Sequence, residues 1–240
     1  MNRREVLEKK KLIDEIIRNA NNNSEKDHLF SLLPSCYLHF NRNGLSVYLE
    51  SGIGSCLSSF KKQYIQKLLK VNMEAIYGPE EWVFEEKVKR REMVAHDARY
   101  IFVREITDNA TSTDHGGENL FVGFVQYRFV LEEEVPVTYV YELQLEERVQ
   151  GKGLGKFLME LVEIIAYENR MSAVMLTVQK GNALAMDFYV SKLMYVISSN
   201  SPSQMGFDKN YEILCKPVDH EAKRKNVGDT VLLGAATNIN

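Results

Sequence analysis

Tyr139-Val140-Tyr141-Glu142-Leu143-Gln144-Leu145-Glu146-Glu147-Arg148-Val149-Gln150-Gly151-Lys152-Gly153-Leu154-Gly155-Lys156-Phe157 is the stretch on which the fold of this chain turns. Its first half reads as a strand, with Val140, Leu143 and Leu145 among β-preferring tyrosines, and its second half is rich in glycine. Beyond it Leu154, Phe157, Leu158, Leu161, Ile164 and Ile165 recur three and four apart, which predicts a helix whose apolar face begins at the glycines. A strand feeding a glycine-rich loop at a helix N-terminus presents unpaired backbone N–H groups and the positive end of a helix dipole, a device for holding phosphate. Spacing narrows the ligand. A dinucleotide fingerprint needs glycine three residues after Gly153, where Lys156 stands, and a Walker A loop needs glycine at Gln150 and a hydroxyl residue at Phe157. What does fit is Gln150-x-x-Gly153-x-Gly155, a pattern that by itself also suits a plain glycine-rich strand-to-helix turn.

The 240 residues suffice for one large domain or two small ones with a substantial core. With 26% charged and 45% apolar residues the chain has an ordinary globular composition, and its formal charge of −3 argues against a nucleic-acid binder held by a basic face. Cys36, Cys56 and Cys215 are odd in number and far apart, so they suit a reducing compartment and neither a disulfide framework nor a zinc site. His28, His39, His115 and His220 are scattered and no metal is assigned; His96-Asp97 lacks a serine or cysteine elbow for hydrolase chemistry. No window reaches the roughly 18 apolar residues of a membrane span, and the expected address is intracellular.

Working outward, residues 4–20 predict a helix ended by Asn21-Asn22-Asn23, either a solvated helix docked on the domain or a basic targeting segment. Residues 37–40 and 45–49 flank the turn Asn41-Arg42-Asn43-Gly44. A helix is expected over 55–77, with Leu57, Phe60, Tyr64, Leu68 and Leu69 inward and Gly78-Pro79 as its stop; a second is expected over 84–96, with Trp82 between them. Strands follow over 99–106, 120–131 and 137–145, separated by a polar loop over 107–118 and by the turn 132–136, as an antiparallel meander. After the glycine loop and its helix come a buried parallel strand over 173–178 and a helix capped by Asn182 and carrying Ala185, Phe188 and Tyr189. Strands over 193–198 and 211–216 close the sheet. The expected organisation is a helical extension packed on the domain over 1–33, a domain over 34–217 and a loosely ordered tail over 218–240.

That element order, with Gln150-x-x-Gly153-x-Gly155 and Asn182 followed by Phe188-Tyr189, resembles the GNAT acetyltransferase superfamily over roughly 55–216. The resemblance implies an α/β acyl-CoA N-acyltransferase fold, a mixed and mostly antiparallel sheet flanked by helices, with an extra N-terminal helix. Longer strings, Tyr139 to Glu146, Arg42 to Leu45, Gly153 to Leu158, Val174 to Val178, Ser201-Pro202-Ser203 and Tyr211 to Leu214, with Met73, Tyr77 and Trp82, are similar to the NatD family of histone N-alpha-acetyltransferases.

This second resemblance implies acetyl-CoA as donor, no metal, and as acceptor the free N-terminal amine of core histones beginning Ser-Gly-Arg-Gly. It also implies work without an obligatory auxiliary subunit, nucleic acid or membrane, in cytoplasm and nucleus. Glu142 is the implied general base, beside Tyr139 and Tyr141; two tyrosines would partly desolvate the carboxylate and raise its proton affinity. In a regular strand Val140 and Glu142 would share one face and the two tyrosines the other, so this arrangement needs a bulge. The cofactor side is implied at Leu143, Gln144 and Leu145 of the strand, where a main-chain N–H meets the thioester oxygen. It continues along Gln150, Gly151, Lys152, Gly153, Leu154, Gly155 and Lys156, and at Asn182 on the pantetheine arm. Tyr189 either returns a proton to the departing thiolate or is core. Tyr77, Trp82, Glu132, Tyr139, Thr177 and Tyr211 are implied to line the acceptor groove. One departure stands out: the NatD family carries an acidic residue after the Arg-Phe pair, whereas Val130 follows Arg128-Phe129, with Glu132, Glu133 or Glu134 to compensate. Acetylation of another N-terminus or of a lysine, and a non-catalytic acyl-CoA-binding adaptor, are the alternative readings.

Overall fold

The computed structural model describes residues 3–22, 35–106 and 121–219. The expected loop over 107–118 and the tail from 220 onward lie outside them, as do residues 23–34. The elements are α1 (Arg3–Asn22), β1 (His39–Arg42), β2 (Leu45–Ile53), α2 (Ser59–Tyr77), α3 (Pro79–Met93), β3 (Arg99–Glu105), β4 (Phe121–Glu132), β5 (Val135–Leu145), α4 (Leu154–Glu168), β6 (Ala173–Gln179), α5 (Ala183–Asp187), β7 (Val196–Ile197) and β8 (Tyr211–Pro217). Among the described residues eight strands form one sheet in the order β1-β2-β3-β4-β5-β6-β8-β7, and of its neighbouring pairs only β5 and β6 run parallel.

Two cores sit on opposite faces of this sheet. On one, α4 buries Leu154, Leu158, Leu161, Val162 and Ile165 against Val125, Tyr127, Val140 and Leu176. Five such side chains contribute on the order of 10 kcal/mol at about 2 kcal/mol each. On the other, α2 and α3 place Ile65, Leu68, Leu69, Trp82 and Met93 over Tyr100, Phe102, Phe121 and Phe124. The extension helix α1 joins the first core through Ile16, Ile17 and Ala20, and its C-terminal carbonyls of Ala20 and Asn21 accept from the buried Arg99 guanidinium at 3.0 and 3.1 Å.

Several boundaries differ from the expectation, each for a local reason. The first turn tightens to Asn43-Gly44, both left-handed (φ 54° and 68°), as a two-residue hairpin of that twist demands. Helix α2 starts at Ser59 because the Ser58 hydroxyl accepts from the Lys61 N–H at 3.2 Å, and residues 54–56 form a 3-10 turn instead. Helix α3 begins at Pro79 and includes Trp82: Gly78, at φ 84°, ends one helix while proline starts the next. It stops at Met93, leaving His96-Asp97 in the turn before β3. The β4–β5 turn is only Glu133-Glu134, Phe188–Lys192 forms a π turn after a short α5, and the strand expected over 193–198 shrinks to Val196–Ile197.

Candidate active site

A slip of one residue in β5 builds the site. Gly123 to Gln126 of β4 face Leu145 to Glu142 in order, but Tyr127 faces Val140, so Tyr141 is an extra residue on β5. Val140 therefore stays in the α4 core while Tyr139, Tyr141 and Glu142 all lie on the α3 side. The two tyrosine rings are 5.5 Å apart, and the Arg128 guanidinium lies 4.3 Å from the Tyr141 ring. Arg128 also donates to the Glu92 carbonyl of α3 at 2.8 Å.

The carboxylate of Glu142 meets a cation as well as the desolvating surroundings expected from the two tyrosines. It is 6% exposed, its Oε1 lies 2.8 Å from the Lys89 ammonium of α3, and its Oε2 accepts from the Gln144 amide at 2.8 Å. The Tyr139 hydroxyl instead shares a 2.5 Å hydrogen bond with Thr177. The reason is topological: α3 crosses directly over the bulge, and Lys89, seven residues after Trp82, is on that helix's buried side. Burial works against the Lys89 charge, yet the carboxylates of Glu142 and Glu92 overcome it and hold the ammonium well above the usual lysine range. Burial also raises Tyr139, Tyr141 and Tyr189, so all three keep their protons at neutral pH.

Past the bulge the sheet splits. Parallel pairing of β5 with β6 ends at Val140 with Leu176, although β5 continues to Leu145 and β6 to Gln179. A crevice outside the carboxyl ends of parallel strands is where such sheets bind ligands. Here it opens into a cleft of about 1290 Å³, above the usual range for a drug-sized ligand and suited to a long one. Leu143, Gln144, Leu145, Gln150, Gly151, Gly153, Gly155, Lys156, Asn182 and Tyr189 all line it. Two residues assigned to the cofactor side do not: Leu154 is fully buried in the α4 core, so only its main chain can serve, and Lys152 turns its carbonyl to the Asn43 amide at 2.9 Å. Gly151 and Gly153 are left-handed (φ 71° and 88°), and a β-carbon on Gly151 would meet nothing within 4 Å, which leaves open space beside the loop. The loop amides, the helix end and this space fit the pyrophosphate and arm of an acyl-CoA. Asn182 spends its side-chain oxygen on its own helix cap, accepting from Ala185 at 3.1 Å. Tyr189, 8% exposed, packs edge-on against Phe188 and Tyr195.

Helix α2 forms a cleft wall that the residue reading did not identify. Phe60, Tyr64, Lys67, Leu68 and Asn72 face the cleft. Asn72 donates to the Gln144 side chain at 2.9 Å and to the Leu145 carbonyl at 3.1 Å; Gln150 donates to that same carbonyl at 2.9 Å. A signal existed: Phe60, Tyr64, Leu68 and Asn72 stand four apart, so one amide interrupts an otherwise apolar stripe.

The acceptor candidates gather at the carboxyl end of β6. Thr177 holds Tyr139, Tyr211 faces Gln179 in the sheet, and the Gln179 side chain lies near the Tyr77 hydroxyl. Glu132 ends β4 near Tyr139, and burial with the neighbouring Glu133 raises its carboxyl above the ordinary range. Trp82 is a core residue, not a groove wall: it is 3% exposed beneath Tyr77, ring centroids 6.0 Å apart, and its indole N–H has no hydrogen-bond partner among the described residues. No group of three His, Cys, Asp or Glu among the described residues is arranged to hold a metal ion.

The family model described as "Acetyltransferase (GNAT) family" matches residues 65–193, more than half of the chain. Among solved structures, a GNAT-family acetyltransferase structure from Desulfovibrio desulfuricans is similar at 14% identity, covering 72% of this chain and 99% of its own, with a TM-score of 0.50. Arabidopsis thaliana NAA60, solved with a bisubstrate analogue, matches at 15% identity over 71% of this chain and 99% of its own, TM-score 0.48. The ribosomal-protein-S18-alanine N-acetyltransferase of Escherichia coli matches at 14% identity over 71% and 94%, TM-score 0.47.

Proposed function

We propose that this chain, which belongs to the acetyltransferase (GNAT) family, moves the acetyl group of acetyl-CoA to the free N-terminal amine of core-histone tails beginning Ser-Gly-Arg-Gly, as NatD does. The observation that carries the reading is the bulge at Tyr141, which sets a buried carboxylate and two tyrosines beside the split between β5 and β6.

Acetyl-CoA supplies an activated thioester carbonyl. The loop from Gln150 to Gly155 holds its pyrophosphate through backbone N–H groups, and Asn72 and Gln144 fix the strand edge beside the thioester. A free α-amine has a pKa of about 7.7 to 8.0, so at neutral pH its removal of one proton needs modest help. The neutral amine forms the new C–N bond as the C–S bond breaks; Glu142 takes the amine proton through water, and the thiolate gains one from Tyr189 or solvent. Tyr139, Thr177 and Tyr211 form a narrow aromatic slot suited to a small hydroxylated first residue and glycine, with Glu132 for a third-position arginine.

A second reading, another N-terminus or a lysine, draws support from Val130. It is half-buried against Val137, Ala173 and Met175, so the acidic group that the NatD family has there is missing. Incubation of a Ser-Gly-Arg-Gly peptide bearing an internal lysine with acetyl-CoA, read by fragmentation mass spectrometry, decides. Acetate on the N-terminal serine supports the proposal, and acetate on the lysine alone rejects it. The proposed setting is cytoplasm and nucleus, without an auxiliary subunit.

A further inference from the structure

Resting on that reading of Glu142, we propose that Lys89 is a positioning residue for the transfer: its ammonium keeps the Glu142 carboxylate ionised and fixed at the bulge. Three observations carry this. The contact is direct and shielded, 2.8 Å between side chains 16% and 6% exposed, so the charges interact in a medium where water screens little. The carboxylate is held from both ends, since Gln144 takes the other oxygen at 2.8 Å and is itself held by Asn72 at 2.9 Å. The helix that carries Lys89 is pinned to the sheet at its C-terminus, where the Glu92 carbonyl accepts from Gln126 and Arg128 at 3.0 and 2.8 Å and Tyr100 donates to the Met93 carbonyl at 2.9 Å.

The groups around the pair come from every neighbouring element. Glu92 of α3 lies 3.3 Å from the ammonium, the hydroxyls of Tyr77 of α2, Tyr100 of β3 and Tyr189 of the π turn are within electrostatic reach of the carboxylate, and Arg128 of β4 stands further along the same side. The tyrosines keep their protons, and Lys89 is the ion-pair partner of Glu142 among the described residues. Without it the carboxylate is a buried charge whose partner is an amide, and such a group takes up a proton.

The test compares wild type, Lys89→Met and Lys89→Arg across pH 5 to 9 on the acceptor peptide. In Lys89→Met the acid limb of kcat is expected to move up by about one pH unit or more, the size of effect of one nearby charge, with the KM for acetyl-CoA unchanged. Lys89→Arg restores the limb. A Lys89→Met limb that coincides with that of wild type overturns the proposal. Should Lys89→Met fail to fold, Lys89→Gln takes its place, and equal losses in the Gln and Arg variants without displacement of the limb also overturn it. A second readout needs no turnover: the infrared carboxyl band of Glu142, identified by its disappearance in Glu142→Gln, reports protonation directly. On acidification from neutral pH it should show the protonated acid appearing at a higher pH in Lys89→Met than in wild type, and coincident transitions overturn the proposal. A wild type that acetylates no free amine would instead reject the functional reading, and the infrared comparison would still decide whether Lys89 keeps Glu142 ionised.

Discussion

Replacing Gly151 with alanine separates the cost of backbone strain from the loss of a ligand site, provided a matched control is made at Gly206. Both glycines are left-handed, at φ 71° and 79°, and a β-carbon at either meets nothing within 4 Å. Each substitution therefore costs roughly 1 to 2 kcal/mol in backbone strain and nothing in collision. For a chain of this size about 1 kcal/mol shifts Tm by some 2 to 4 °C, so each variant should melt about 2 to 8 °C below wild type. Only Gly151 lines the cleft. On the proposed reading its new methyl group stands where the pyrophosphate approaches the main chain. Acetyl-CoA at one hundred times its Kd stabilises a protein by about 2.7 kcal/mol, and a tenfold weaker site at the same concentration gives about 1.4. Thermal unfolding with and without acetyl-CoA should thus show the ligand-induced rise roughly halved in Gly151→Ala and intact in Gly206→Ala. Equal rises in the two variants would refute the placement of the phosphate at this loop.

Glu142→Gln should lower kcat at neutral pH by a hundredfold or more while leaving acetyl-CoA stabilisation in place, the general-base contribution being about 10² to 10⁴; turnover at the wild-type rate would remove Glu142 from the base role. Asn72→Ala deletes the donor to Gln144 and to the Leu145 carbonyl, so it should cost about 1 to 3 kcal/mol in urea unfolding and raise the KM for acetyl-CoA. Gly123→Ala puts a β-carbon 2.7 Å from the Gln144 carbonyl oxygen and 2.4 Å from Leu145 Cδ2, so it should destabilise by about 1 to 3 kcal/mol and displace β5 where the cleft begins, which hydrogen exchange of residues 143–145 would register. The hydroxyls of Ser201 and Ser203, at 2.6 and 2.7 Å, and then Lys180 hold the Glu212 carboxyl below its ordinary value. A folded pKa lowered in this way contributes stability fully above the unfolded value of about 4.3 and loses it as pH falls through the folded one. Urea midpoints of wild type should therefore fall towards those of Glu212→Gln on acidification below about pH 4, and a constant gap between the two would contradict the assignment.

Periodicity made most of the architecture legible, because the signals were local. The apolar spacing of Leu154 to Ile165, the cap at Asn182 and the turn glycines each act within a few residues, and the structure uses each as such. Boundaries went astray where two short-range rules overlapped: Gly78-Pro79 reads as a stop, yet the same pair starts α3, which moved Trp82 from a loop into the core. The partner of Glu142 was out of reach for a different reason. Lys89 lies 53 residues before it in sequence, and no local rule says that α3 crosses the bulge. What could be read was that Lys89 shares a helical side with Trp82 and Met93, an uneasy place for a cation without a carboxylate opposite.

The bulge itself was written in the apolar alternation. In an unbroken strand Val140 is followed on its face by Glu142 and Gln144, which would set a carboxylate and an amide against Leu154 and Leu158. The apolar positions instead run Val140, Leu143, Leu145, a step of three and then two. A strand can keep all three in one core only by inserting a residue between 140 and 143, and the β4 register absorbs that residue at Tyr141. Core packing therefore fixes the parity change, and the parity change turns Glu142 and Gln144 to the opposite side, where α2 and α3 meet them with Asn72 and Lys89. Pairing with β6 ends at Val140, one residue before the insertion, so the same feature that sorts the side chains also marks where the two parallel strands part. The placement of the Glu142 carboxylate and of the cleft thus follows from one requirement, that Val140, Leu143 and Leu145 stay on the α4 face.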